Sequence, residues 1–149
     1  MSRFAQLNEH RRPVPNKLAA RELSAIMAPL TNALIAFRLG RGSDDHYNDL
    51  AAAFVIAQEI AALVPRHRPL QAELQPCVQA LHRIWERRRQ RTIPDAPYTG
   101  LPEEIDEVEN GVQIYRGLLL ATPGKTVLRA ISRAMDAIKR AEPAPEVAA

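Results

Sequence analysis

Residues 43–65 read SDDHYNDLAAAFVIAQEIAALVP, and this stretch decides the fold. Ser43 or Asp44 supplies an oxygen that caps the free N–H groups of a helix start. Asp44, Asp45 and Asp49 add negative charge near the positive end of the helix dipole. Tyr47, Leu50, Phe54, Ala57, Ala61 and Val64 then recur at spacings of three and four, and Ile56, Ile60 and Leu63 add a second apolar face. A helix that is apolar nearly all round must be enclosed by others. It is therefore expected to be the central and most buried helix, stopped by Pro65.

Upstream, Gly40-Arg41-Gly42 closes a preceding helix, because glycine accepts the left-handed conformation of a C-cap. That helix carries Leu23, Ile26, Met27, Leu30, Leu34 and Phe37, with Asn16 as its cap; Pro29 is expected to kink or split it. Downstream, a third helix begins at Pro69 and runs to about Arg91, with Leu70, Leu74, Val78, Leu81 and Trp85 as its stripe and Cys77 and Ile84 beside it. Pro76 predicts a kink there, or a short helix followed by a longer one. Residues 92–101, with Pro94, Pro97 and Gly100, form a loop. A fourth helix, capped by Thr99 or Leu101, carries Ile105, Val108, Val112, Tyr115 and Leu119. Thr122-Pro123 reads as a stop followed by a new cap and first helical residue, opening a last helix with Val127, Leu128, Ile131, Met135 and Ile138 that ends near Glu142. No stretch sustains the period-two alternation of a strand. The expectation is an all-α, compact antiparallel bundle of four to five helices in one domain, residues 16–142, between a flexible arm at 1–15 and a flexible tail at 143–149.

The composition agrees: of 149 residues, 46% are hydrophobic and 25% charged, which suits a globular chain rather than a disordered one. Cys77 is the single cysteine, which excludes an internal disulfide and a zinc site built on several thiolates, and a reducing cytoplasmic setting is expected. The longest uncharged run, residues 23–37, is shorter than the roughly 18–20 residues that a membrane span needs, so no membrane partner is expected. Arg11-Arg12 is followed by Pro13 and Pro15 rather than by the apolar region of an export signal. Arginine outnumbers lysine 17 to 3, and there are 24 alanines; anion recognition and GC-rich coding both produce such a bias. The net charge of +3 divides into blocks of +5 (1–42), −4 (43–65), +5 (66–92), −6 (93–115) and +3 (116–149). Successive helices thus alternate in sign, which favours neighbours with complementary rims.

No catalytic constellation stands out. Thr122-Pro123-Gly124-Lys125-Thr126 matches the end of a phosphate-binding loop, but the glycine required five residues before Gly124 is Leu119, and the segment ahead reads as helix rather than strand. The acidic run Glu103 to Glu109 lacks the Glu-x-x-His pattern of a di-iron bundle, and His10, His46, His67 and His82 lie in separate segments without zinc-ligand spacing. His82 and Glu86 share a face one turn apart, as many solvated pairs do. Cys77 beside an apolar stripe reads as packing, and no serine sits in a Gly-x-Ser-x-Gly elbow. No catalytic residue, metal or cofactor is therefore expected.

The strongest polar feature is Arg83, Arg87, Arg88, Arg89 and Arg91 around Trp85, suited to phosphates or to an acidic protein surface. Glu103, Glu104 and Glu107 form the matching acidic interaction face, and Arg129, Arg133 and Arg140 a weaker basic stripe on the last helix. Met27-Ala28-Pro29, Gly40-Arg41-Gly42, Thr99-Gly100 and Ala121-Thr122, within residues 27–131, follow in an order that resembles a loose group of small helical proteins of bacterial prophages and other mobile elements. The resemblance implies a helical bundle and a mobile-element setting. It carries no binding residues, and the Arg87–Arg91 cluster lies outside it. The expected function is that of a non-enzymatic interaction or regulatory protein, binding another protein or itself, for example by pairing the +5 third-helix block with the −6 fourth-helix block across a homodimer. The alternative is a small nucleic-acid-binding regulator using the arginine cluster.

Overall fold

The computed structural model describes residues 18–93 and 95–141. The arm at 1–15, the Asn16 cap, Pro94 and the tail at 143–149 lie outside them. The described residues form α1 (Ala20–Arg38), α2 (Asp44–Leu63), one 3-10 turn (Pro65–His67), α3 (Pro69–Arg89), α4 (Pro102–Ala121) and α5 (Gly124–Ala141). One isolated antiparallel bridge joins Gly42 to Tyr98. The protein is a compact all-α bundle.

Contacts between helix ends give the directions. The start of α2 meets the end of α3 where Arg88 Nη2 lies 3.5 Å from Asp44, and the end of α3 meets the start of α4 where Arg87 pairs with Glu104. The end of α1 reaches the first turns of α4 through Arg38, which pairs with Glu109 at 2.6 Å and Asp106 at 3.4 Å. The ends of α2 and α4 fall together, since Arg66 donates to the Ala121 carbonyl at 3.0 Å. Successive helices therefore alternate up and down, as short loops dictate. Helix α2 packs against all four others, whereas α5 rests chiefly on α2.

The turns follow from local chemistry. Gly40, at φ 67°, ends α1 in a Schellman motif: Arg41 N–H donates to the Ala36 carbonyl at 2.8 Å and Gly40 N–H to that of Phe37 at 3.2 Å. Ser43 caps α2 by accepting from His46 N–H at 3.3 Å, and His46 Nδ1 returns the bond by accepting from Ser43 N–H at 3.1 Å. Leu101 and Pro102 open α4, where Glu104 accepts from Leu101 N–H at 2.9 Å.

Several expectations are corrected. Of the kink or split expected at each proline, the split does not occur: α1 runs through Pro29 and α3 through Pro76. Each proline is exposed, and the carbonyls it leaves without a helical donor belong to the exposed Ala25 and Ala72. Helix α2 is central but not the most buried. That position belongs to α4, with ten of its residues buried against six of α2. Thr122 does not cap α5: its hydroxyl is buried without a partner, and the Pro123 carbonyl takes the N–H groups of Thr126 and Val127. The buried face of α3 is turned from the expected stripe, with Cys77 and Ile84 fully enclosed and Val78 and Trp85 at its margin.

The core closes tightly at Gly111. A Cβ there would lie 2.7 Å from the Phe54 ring and 2.8 Å from Cys77 Cβ, so α2, α3 and α4 meet over a residue with no side chain.

Candidate interaction surfaces

The arginine cluster divides into an inner and an outer set. Arg87 turns inward: its Nη2 donates to Glu104 Oε2 at 2.8 Å, and its Nη1 lies 2.8 Å from Oε1 and donates to the Thr99 carbonyl at 3.1 Å. Arg88 also turns inward, donating from Nε to the Ala96 carbonyl at 3.0 Å and lying 4.8 Å over the Tyr98 ring. Arg91 donates to Thr99 Oγ1 at 3.2 Å from an exposed position. Together the three hold the 92–101 loop onto the end of α3.

Tyr98 is the loop's anchor, a role the sequence reading did not assign. It is buried, stacks on Tyr47 at 5.2 Å and Phe37 at 5.9 Å, and donates its hydroxyl to Asp44 at 2.9 Å. Burial first, and then the bond to Asp44, push its pKa up to about 12. The sequence signal was present, the one aromatic of the 92–101 loop, set between Pro97 and Thr99. Its use became visible only when Gly42 was placed opposite, where any side chain would strike Phe37 and Tyr98.

Of the acidic face, Glu104 is buried, while Glu103 and Glu107 are exposed. Burial acts to raise the pKa of Glu104. The hydrogen bonds from Arg87 and Leu101 N–H, together with the charges of Arg87 and Arg83, outweigh it and hold the carboxyl below its ordinary value. Glu104 also keeps the Arg87 guanidinium charged, raising its pKa. Part of the alternating charge pattern is thus consumed within the bundle, by Arg38, Arg87 and Arg88 with their carboxylates.

Arg83 and Arg89 face solvent. Arg83 approaches Glu104 at 3.6 Å, and Arg89 lies over Trp85 at 5.4 Å with Glu86 at 3.7 Å. His82 stacks on Trp85 at 5.6 Å and lies 3.6 Å from Glu86. Trp85, Arg89, Arg91 and Ile93 border an open hollow of about 330 Å³.

The remaining chemistry is packing. Cys77 is enclosed, and burial pushes its thiol up to about 11, far from a reactive thiolate. His67 is fully buried with both ring nitrogens unpartnered, and burial with the neighbouring Arg66 charge lowers its pKa to about 4. Among the described residues, no three His, Cys, Asp or Glu side chains converge as metal ligands, and no helix is long and apolar enough to cross a membrane.

A second surface lies on α5. Its buried residues are Val127, Ala130 and Ala134, facing α2. Ile131 and Ile138 are half-buried, but Leu128 and Met135, of the same apolar set, are 69% and 46% exposed. The apolar arc of α5 is broader than the contact with α2 covers. Arg133 holds the opposite flank by an ion pair to Glu59 at 3.0 Å that lacks hydrogen-bond alignment. Lys125, Arg129, Lys139 and Arg140 are exposed without an ion-pair partner among the described residues. Compared with known proteins, the chain matches no family model, no curated protein and no solved structure at a significant level.

Proposed function

We propose that this chain is a non-enzymatic protein-binding module that docks a partner along α5, in the mobile-element setting its sequence resemblance implies. The observation that carries this reading is the apolar strip on α5, where Leu128 and Met135 stand out in solvent beside unpaired cations. A photo-crosslinking residue at Leu128, compared with one at the exposed Arg116 of α4, tests it in cells. A discrete protein adduct from position 128 alone, resistant to nuclease, is the expected result. No adduct, or the same adducts from both positions, overturns it.

A nucleic-acid-binding regulator is the second reading, supported by the exposed Arg83, Arg89 and Arg91 beside Trp85. Arg87 and Arg88 are excluded from its test because they hold the loop and α4. A mobility shift that weakens steeply with salt and is lost when Arg83, Arg89 and Arg91 become alanine supports it. No shift at low salt rejects it.

A further inference from the structure

We infer that the partner of α5 is an acidic amphipathic helix of another protein, laid along the Leu128–Met135 strip; the inference rests on the docking reading above. The spacing selects the shape. Leu128 and Met135 are seven residues apart, as are Ile131 and Ile138, so the four recur at the a/d spacing of two heptads, with Leu128 and Met135 exposed and Ile131 and Ile138 half-covered at the edge that meets the bundle. The broader apolar face of α5 is already occupied by α2 through Val127, Ala130 and Ala134. A narrow heptad seam fits knobs from one more helix, whereas a helix lying in a membrane interface needs its wide face free.

Charge selects the partner's sign. Lys125 and Lys139 flank the seam, Arg129 and Arg140 follow on the solvent side, and Asp136 is the single acidic residue of α5. With Leu128 and Met135 at a, Lys125 and Lys139 both fall at e, one of the rims where coiled-coil partners choose one another by charge. Glutamates on the incoming helix meet these lysines. A second copy does not satisfy them: an antiparallel α5 pair that sets Leu128 against Met135 of the other copy brings Lys125 beside Lys139, twice by symmetry, and like charges across a seam oppose association.

The probe is a synthetic helical peptide of about three heptads, with leucine at the seam positions and glutamate at the rims, and a twin with lysine in place of glutamate. Fluorescence anisotropy against the full chain should show the acidic peptide binding at least about tenfold more tightly than its twin, with binding that weakens as salt rises. Leu128→Gln with Met135→Gln should weaken it by about tenfold or more while leaving the circular dichroism unchanged, since both positions are exposed. Lys125→Glu with Lys139→Glu should reverse the preference between the two peptides. Equal binding of both peptides, or binding indifferent to either pair of substitutions, overturns the assignment. A sedimenting dimer dissolved by the two glutamines puts a second copy on α5, overturning the acidic partner but leaving protein docking intact. Glutamine-sensitive adsorption to phosphatidylserine vesicles without peptide binding overturns both readings.

Discussion

Replacing Arg87 with alanine isolates what the inward-turned half of the arginine cluster does. The substitution removes the bond to the Thr99 carbonyl and both contacts to Glu104, a carboxylate only 3% exposed. Glu104 is then left with Leu101 N–H at 2.9 Å and Arg83 at 3.6 Å. Removing one partner of a fully buried ion pair costs about 3–5 kcal/mol, and because the Arg87 side chain is itself 35% exposed, the expected loss here is about 2–3 kcal/mol. Glu104→Gln keeps an acceptor for Leu101 N–H and leaves a guanidinium that water can reach, so it should cost less, about 1–2 kcal/mol. If the pair acts as a unit, the double variant is more stable than the sum of the single losses implies, by roughly 1–2 kcal/mol. Urea unfolding followed by circular dichroism and by Trp85, the one tryptophan, measures all three. Arg89→Ala, an exposed control on the same helix, should stay within about 0.5 kcal/mol of the parent chain. An Arg87→Ala loss as small as that control, or a coupling near zero, would refute the structural reading and return Arg87 to the candidates for ligand binding.

Three further outcomes follow from buried groups. Gly111→Ala inserts a methyl group from α4 between Phe54 and Cys77, and should destabilise the fold by about 1–3 kcal/mol in the same unfolding assay; a neutral result means that the three helices separate easily there. His67, with a folded pKa of about 4 against an ordinary 6.5, stays neutral in the fold while the unfolded chain takes up a proton, so stability is full above pH 6.5 and falls by about 3 kcal/mol as the pH drops to 4. His67→Leu should flatten that slope between pH 6.5 and 4, and an unchanged slope would assign it to other groups. Cys77 should resist maleimide in the native chain and react at once in urea, because its thiol is enclosed and its pKa is pushed up to about 11; labelling of the native chain at the rate of a free thiol contradicts this burial.

Local signals that act over one turn were legible in the sequence. Gly40 with Arg41, Ser43, Pro65, Pro69 and Pro102 each mark a helix end where a backbone group needs a donor, an acceptor or a left-handed residue, and each does so in the fold. What depends on which face a residue presents was harder to read. Pro29 and Pro76 each remove a helical donor, and the sequence does not say whether the helix stops there or runs on, as both helices do with the proline on the solvent side. Arg87 and Arg89 are two residues apart on one helix and meet opposite fates, one against Glu104 and the other over Trp85. Leu128 and Ile131 belong to one apolar stripe, yet only a neighbour's position decides which of them is covered. Thr122 has the right chemistry for a cap and is enclosed instead, since Pro123 offers its carbonyl one residue later.

The charge blocks acquire a spatial meaning once the bridges are placed. The blocks over residues 1–115 cancel, and three bridges join them across helices: Arg38 to α4, Arg88 to the start of α2, and Arg87 to Glu104. A homodimer built from the third- and fourth-helix blocks would have to compete with the bond that Arg87 already makes to Glu104 in its own chain. The chain's +3 resides in the block that contains α5, where Arg133 alone has a carboxylate within reach among the described residues. Exposed apolar side chains and unpaired cations therefore coincide on the helix with the fewest neighbours, and each feature limits what the other can bind. The seam calls for an apolar face with a heptad repeat, and the lysines beside it call for negative charge at the rims. A neutral apolar helix would leave the cations unmatched, and a polyanion without an apolar stripe would leave Leu128 and Met135 in water. An acidic amphipathic helix meets both requirements at once.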